Sequence, residues 1–187
     1  MIIYETDKFY LRPFLKSDIT YDYLAWFHDQ EVTSHTSHGI FPYTKRMALE
    51  FLENARKNND IIWAIIAKEK CDISYADYSS KHIGNIALQN FNHINRTAEF
   101  AGIIGEKEYW GKGYGTKTVR LLFEHGFNKM NLHKIWLGTV ITNKGMINIA
   151  EKLGMSLEGM LRHHVFLNER YWDVHQYGIL NSEWNRK

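Results

Sequence analysis

The run Tyr109-Trp110-Gly111-Lys112-Gly113-Tyr114-Gly115-Thr116 holds the residues of this 187-residue chain best suited to chemistry. Gly111, Gly113 and Gly115 alternate with other residues, an apolar strand pattern over 97–104 precedes them, and an amphipathic pattern over 116–127 follows. Glycine lets the backbone approach a ligand closely, and a helix start offers N–H groups and positive potential. Strand, glycine turn and helix start together therefore make an anion-binding device suited to phosphate. A Walker A loop needs Gly-x-x-x-x-Gly-Lys-Ser/Thr, an order this run does not provide. The dinucleotide fingerprint Gly-x-Gly-x-x-Gly fails as well, because these glycines are evenly spaced and lie past the middle of the chain.

Trp110-Gly111-Lys112-Gly113-Tyr114-Gly115 resembles the pyrophosphate loop Gln/Arg-x-x-Gly-x-Gly/Ala of the GNAT N-acetyltransferase superfamily, with Trp110 in place of Gln or Arg. A second block, Asn143-Lys144-Gly145-Met146-Ile147-Asn148-Ile149-Ala150-Glu151-Lys152-Leu153-Gly154-Met155, resembles the family's Asn-x-x-Ala-x-x-x-Tyr-Glu-Lys-x-Gly-Phe segment. Glu158-Gly159 and Arg162 continue it, and from Asn95 to Leu180 the chain looks close to spermidine and ribosomal-protein N-terminal acetyltransferases. The resemblance implies an α/β fold with a mixed, mostly antiparallel sheet, splayed at the cofactor strand and flanked by helices. It implies one domain over 1–187, acetyl-CoA as cosubstrate, and direct acetyl transfer to a primary amine.

Carried over residue by residue, the backbone around Ile103 and Ile104 is expected to pair with the pantetheine arm. Trp110, Gly111, Lys112, Gly113, Tyr114, Gly115 and Thr116 are expected around the pyrophosphate, with Asn143 as a cofactor partner or helix cap. Glu99, on the cofactor strand, is the first choice for a base that deprotonates the amine, and Glu158 the second. Relatives place Tyr where Ala150 stands, or Ser where Met146 stands, so neither hydroxyl is present to protonate the leaving thiolate. That absence keeps open a second class of function, a CoA-binding sensor or interaction domain without catalysis.

Composition narrows the field. A net charge of +2 with mixed signs gives no nucleic-acid footprint. No stretch approaches the roughly 20 apolar residues of a membrane span, and the N-terminus lacks a charged-then-apolar leader pattern. One cysteine, Cys71, excludes an internal disulfide and fits a cytoplasmic setting. Ten histidines raise the question of a metal. His163 and His164 would point to opposite faces of a strand, and His35 and His38 have no acidic or thiol neighbour in sequence, so no metal is expected. Self-association as a homodimer is expected by analogy alone.

Around these residues the patterns predict strands over 2–12, 61–67, 83–89, 97–104, 134–141, 158–167 and 171–180. Helices are predicted from a Ser17-Asp18 cap to about residue 28, from Thr44 through 55, over 116–127 and over 148–153. The segment 33–41 reads as a loop and 68–82 as a polar insertion. Trp26-Phe27-His28-Asp29-Gln30-Glu31-Val32 resembles a pattern of aminosugar acetyltransferases, so an aminosugar nucleotide is the leading acceptor. Peptide N-termini and polyamines are alternatives. Asp29, Glu31 and Glu50 would serve a polyamine, Lys45 and Arg46 a nucleotide sugar.

Overall fold

The computed structural model describes residues 1–70 and 78–184. Its strands are β1 (Tyr4–Glu5), β2 (Phe9–Pro13), β3 (Ile61–Lys70), β4 (Tyr78–Asn92), β5 (Thr97–Ile104), β6 (Lys134–Val140), β7 (Ser156–Leu167) and β8 (Arg170–Leu180). They form one eight-stranded sheet in the order β1-β2-β3-β4-β5-β6-β8-β7. Every neighbouring pair is antiparallel except β5 and β6, which are parallel. Helices α1 (Tyr21–Trp26), α2 (Gln30–Thr33) and α3 (Lys45–Lys57) lie between β2 and β3. Helix α4 (Tyr114–Asn128) links β5 to β6, α5 (Lys144–Lys152) links β6 to β7, and α6 (Asn181–Trp184) follows β8.

Strand alternation gives the sheet two apolar faces, and each is covered differently. On one, Val119, Leu122 and Phe123 of α4 and Ala150 of α5 pack against Phe100, Ile135, Leu137 and Ile179. Leu122 and Phe123 are fully buried, each stabilising the fold by about 1.5–3 kcal/mol. On the other, Tyr23, Trp26, Ala48 and Leu52 of α1 and α3 pack against Ala64 and Ile66 of β3. That second cluster reaches β5 only at Ile103 and includes no residue of β6, β7 or β8. Among the described residues, about half of this face is thus left without helical cover.

Several boundaries differ from the sequence expectation. The strand expected over 2–12 folds back on itself, because the Thr6 hydroxyl accepts from Lys8 and Phe9 N–H (3.3 and 3.1 Å) and turns the chain between β1 and β2. Thr20, not Ser17 or Asp18, caps α1, accepting from Tyr23 N–H at 3.2 Å. Asp18 is buried and instead takes a bidentate Arg12 (2.6 and 2.7 Å), the partner a buried carboxylate requires. The expected loop 33–41 contains the end of α2 and a 3₁₀ turn at Ser37–Gly39. Met47 and Phe51 lie at the exposed edge of α3. Helix α5 starts at Lys144, earlier than expected, because Asn143 Oδ1 accepts from Met146 N–H at 3.0 Å. Both ends of the expected insertion 68–82 are strand, with Lys70 paired to Tyr78. Cys71 lies outside the described residues.

Among the described residues, no helix is long and apolar enough to cross a membrane, and no three His, Cys, Asp or Glu side chains are grouped as a metal site.

Candidate active site

Strands β5 and β6 stay together for three residue pairs, Thr97 with Lys134, Ala98 with Ile135 and Glu99 with Trp136. Beyond Glu99 they separate, β5 running on to Ile104 and β6 to Val140 with no further pairing between them. The result is a V-shaped gap edged by backbone. Arg96 C=O accepts from His133 N–H (2.7 Å) on the β6 side, and Gly105 N–H donates to Ile83 C=O (2.9 Å) on the β4 side. Backbone groups alternate sides along a strand. Those of Phe100, Gly102 and Ile104 therefore face the gap, while those of Ile103 face β4 opposite Asn85. Of the two amides expected along the gap, Ile104 is open to it and Ile103 is not; Gly102 joins Ile104. On the far edge, Ile141 N–H donates to Asp173 C=O (3.2 Å). By the same alternation Gly138 and Val140 face the gap, while Trp136 closes the ladder at its root.

The glycine loop stands at the open end of the V. Gly111 and Gly113 have φ of 71° and 84°, and a Cβ on either would meet nothing within 4 Å. That left-handed conformation is what glycine allows at low cost. Gly113 caps α4, whose first internal bond runs from Lys117 N–H to Gly113 C=O (3.2 Å), so the N–H groups of Gly115 and Thr116 precede the ladder. This open backbone cradle suits a pyrophosphate. Gly115 has a different task, since its Cβ would come within 3.0 Å of Ile149 Cδ1; it lets α4 approach α5. Lys112 Nζ lies 5.9 Å from the Tyr109 ring centre, and Tyr114 stands edge-on to the same ring at 5.2 Å. The Trp110 indole donates to Ile104 C=O at 2.8 Å, tying the loop to the end of β5.

Glu99 is half-buried on the face left open by α3. Its carboxylate accepts from two neutral amides, Asn90 Nδ2 (2.6 Å) and Gln89 Nε2 (3.3 Å). Asn90 is held at φ 53° beside the register shift between Gln89 and Asn92, which turns it towards Glu99. Glu158 sits in a β7 irregularity between Leu157 and Gly159, lies against Gly178, and takes the Lys134 ammonium at 2.6 Å. The two carboxylates thus share one face but flank Trp136 rather than meet. Ala150 is fully buried and Met146 packs against the same core, so the positions of the absent hydroxyls are apolar.

The segment from Trp26 to His35 crosses the mouth of the gap. Beyond β5, Trp26 Nε1 donates to Glu106 (2.8 Å), and Lys107 donates to Asp29 (2.8 Å) and Glu31 (2.9 Å). Hydrogen bonding from Lys107 holds the Asp29 carboxyl below its ordinary range. Beyond β6, His35 Nδ1 and the Thr142 hydroxyl are 3.2 Å apart, with burial lowering the His35 pKa. Nothing in the sequence pattern pairs residues so far apart.

A spermidine N-acetyltransferase from Vibrio cholerae, solved with CoA and spermine, superposes with a TM-score of 0.79 at 25% identity, covering 96% of this chain and 99% of that one. The spermidine N(1)-acetyltransferase of Escherichia coli K12 is 42% identical over 88 residues, 47% of either chain, so this chain spans about half the length of that relative. A putative ribosomal N-acetyltransferase, YdaF of Bacillus subtilis, is 30% identical over 57% of this chain and 58% of its own. Residues 8–156 match the acetyltransferase (GNAT) domain family. Splayed strands, a left-handed glycine loop and that match give one conclusion: the chain belongs to the GNAT acetyltransferase family.

Proposed function

We propose that this protein is an acetyl-CoA-dependent N-acetyltransferase, one domain over 1–187, whose acceptor is a cationic primary amine of the polyamine class. The observation that carries the proposal is the β5–β6 gap opening onto the Gly111–Gly113 cradle. Backbone groups of Ile104 and Gly138 are free of ladder partners on that side and suit the amides of a pantetheine arm. The N–H groups of Gly113, Gly115 and Thr116 suit the pyrophosphate, with Lys112 adding charge. Acetyl-CoA supplies the activated acetyl group. Gly102 N–H, deeper in the gap than Ile104, donates to the thioester oxygen as negative charge builds there. Glu99 takes the ammonium proton directly or through water, freeing the nitrogen lone pair. The C–N bond forms, the C–S bond breaks with its electron pair leaving on sulfur, and the nitrogen gives up its second proton to solvent. With apolar side chains at Ala150 and Met146, solvent returns the proton to the thiolate.

The acceptor preference follows from the relatives and from where side chains are committed. Spermidine enzymes stand among both the sequence relatives and the structural neighbours. The aminosugar-like pattern is taken up by internal contacts: Trp26 is buried on Glu106, and Asp29 caps α2 and binds Lys107. Arg46 pairs with Glu50 (3.7 Å) on the exposed side of α3.

A thiol-release assay with acetyl-CoA tests this, using spermidine, 4-amino-sugar nucleotides, aminoglycosides and peptides with free N-termini. Turnover on spermidine is expected. Turnover confined to sugar nucleotides or peptides contradicts the acceptor class while keeping the transfer. Silence across the panel, with acetyl-CoA still bound in calorimetry, contradicts catalysis and favours a CoA-binding module.

A further inference from the structure

We propose that the Trp136 ring is the platform on which the acceptor's ammonium group rests, with Glu99 as its counter-charge. The proposal builds on the acetyl-transfer reading and assigns a residue that sets acceptor specificity. The chain has six tryptophans. Trp26, Trp110 and Trp172 donate their indole N–H to protein oxygens. Trp63 and Trp184 make edge-on contacts with neighbouring rings. The Trp136 side chain is half-buried, yet among the described residues its indole has no hydrogen bond, ring contact or cation contact.

Its surroundings explain why the ring is open and what suits it. Trp136 is opposite Glu99 on β5 and Gly178 on β8. Ile135 and Leu137 belong to the core under α4, so Trp136 points to the other face, the one α1 and α3 leave uncovered here. Its same-face neighbours Gly138 and Gly178 carry no side chain, and Ala101 next to Glu99 is small. The Glu158 carboxylate fills the space a Gly178 Cβ would take, at 2.5 Å, on this same face. Lys134, also on this face, binds Glu158 and offsets its charge. Among the described residues Glu99 has only neutral amides as partners. One carboxylate without a cationic partner, beside an unpartnered aromatic ring at the root of the gap, suits an ammonium group; a neutral amine lacks both the ion pair and the cation–ring attraction.

The experiment compares wild type, Trp136→Leu and Trp136→Phe on benzylamine, which is cationic at neutral pH, and aniline, which is not. The readout is the ratio of kcat/KM for benzylamine to that for aniline, with melting temperature as a folding check. Trp136→Leu is expected to lower the ratio about tenfold, mainly through KM for benzylamine, and Trp136→Phe to lower it less. An unchanged ratio, with both amines affected equally, overturns the proposal and leaves Trp136 a packing residue. Should wild type release no thiol with any amine, the acetyl-transfer reading fails separately. Spermidine titration by tryptophan fluorescence then decides the site alone: quenching in wild type that is lost in Trp136→Phe supports it, and equal quenching overturns it.

Discussion

In the proposed mechanism the chemistry concentrates at Glu99, which stands at the root of the gap and among the described residues has only neutral amides as partners. Glu99→Gln keeps the shape and the contact with Asn90 while removing the base. Its kcat is expected to fall by about 100-fold or more, with acetyl-CoA affinity within about twofold. An unchanged kcat across the pH range removes Glu99 from the mechanism. Glu158→Gln should matter much less, since that carboxylate is already bound to Lys134. Glu99 could be picked from sequence as a carboxylate on the strand leading to the glycine loop. Its amide partners could not, because a bulge rather than a residue pattern turns Asn90 towards it. Trp136 is not legible in the sequence for a similar reason: a tryptophan in an apolar strand reads as core until the neighbouring strands show which face lacks cover.

The element that defines the site is a failure of pairing, the departure of β6 from β5 after Glu99. Strand positions were legible from alternation and β5 matches its expected bounds, but β3 and β4 run past theirs. Which backbone groups face the gap was not, because that parity is set by bonds made outside the strand, at Arg96 and Gly105. The glycines separate at this scale too. Gly113→Val puts a β-branched side chain at φ 84° in the space proposed for phosphate. Acetyl-CoA affinity should fall by tenfold or more, on the order of 1.4 kcal/mol, in calorimetry. Gly115→Ala meets the flexible tip of Ile149 at 3.0 Å; it should lower the melting temperature by a few degrees and leave affinity within about threefold. Equal loss of affinity in both variants contradicts the division of labour.

Across the whole molecule, the N-terminal segment is tied to the cofactor half through Trp26–Glu106, Lys107–Asp29 and His35–Thr142. Each joins residues distant in the chain, and no local propensity reports such a pair. His82 shows the energetic side of this packing. It is enclosed by Tyr23, Trp26 and Phe14, with Nε2 2.8 Å from Asn85 Oδ1, and burial lowers its pKa. Burial lowers His35 and His125 as well. The fold therefore favours neutral imidazole. As pH drops through about 6.5, the ordinary value, the unfolded chain takes up protons first and stability falls until the folded values are passed. The melting temperature should be lower at pH 5.5 than at pH 7.5 by several degrees, with a shallower dependence in His82→Asn. A melting temperature that rises on acidification contradicts this.

Residue-resolved amide hydrogen exchange, with and without CoA, tests the central claim most directly: that the gap between β5 and β6 receives the cofactor arm edge-on. The amides of Gly102, Ile104 and Gly138, and those at the start of α4, should gain protection when CoA binds. Ile103, already turned towards β4, should not. Protection at Ile103 without Gly102 and Ile104, or confined to strands away from the gap, contradicts the account.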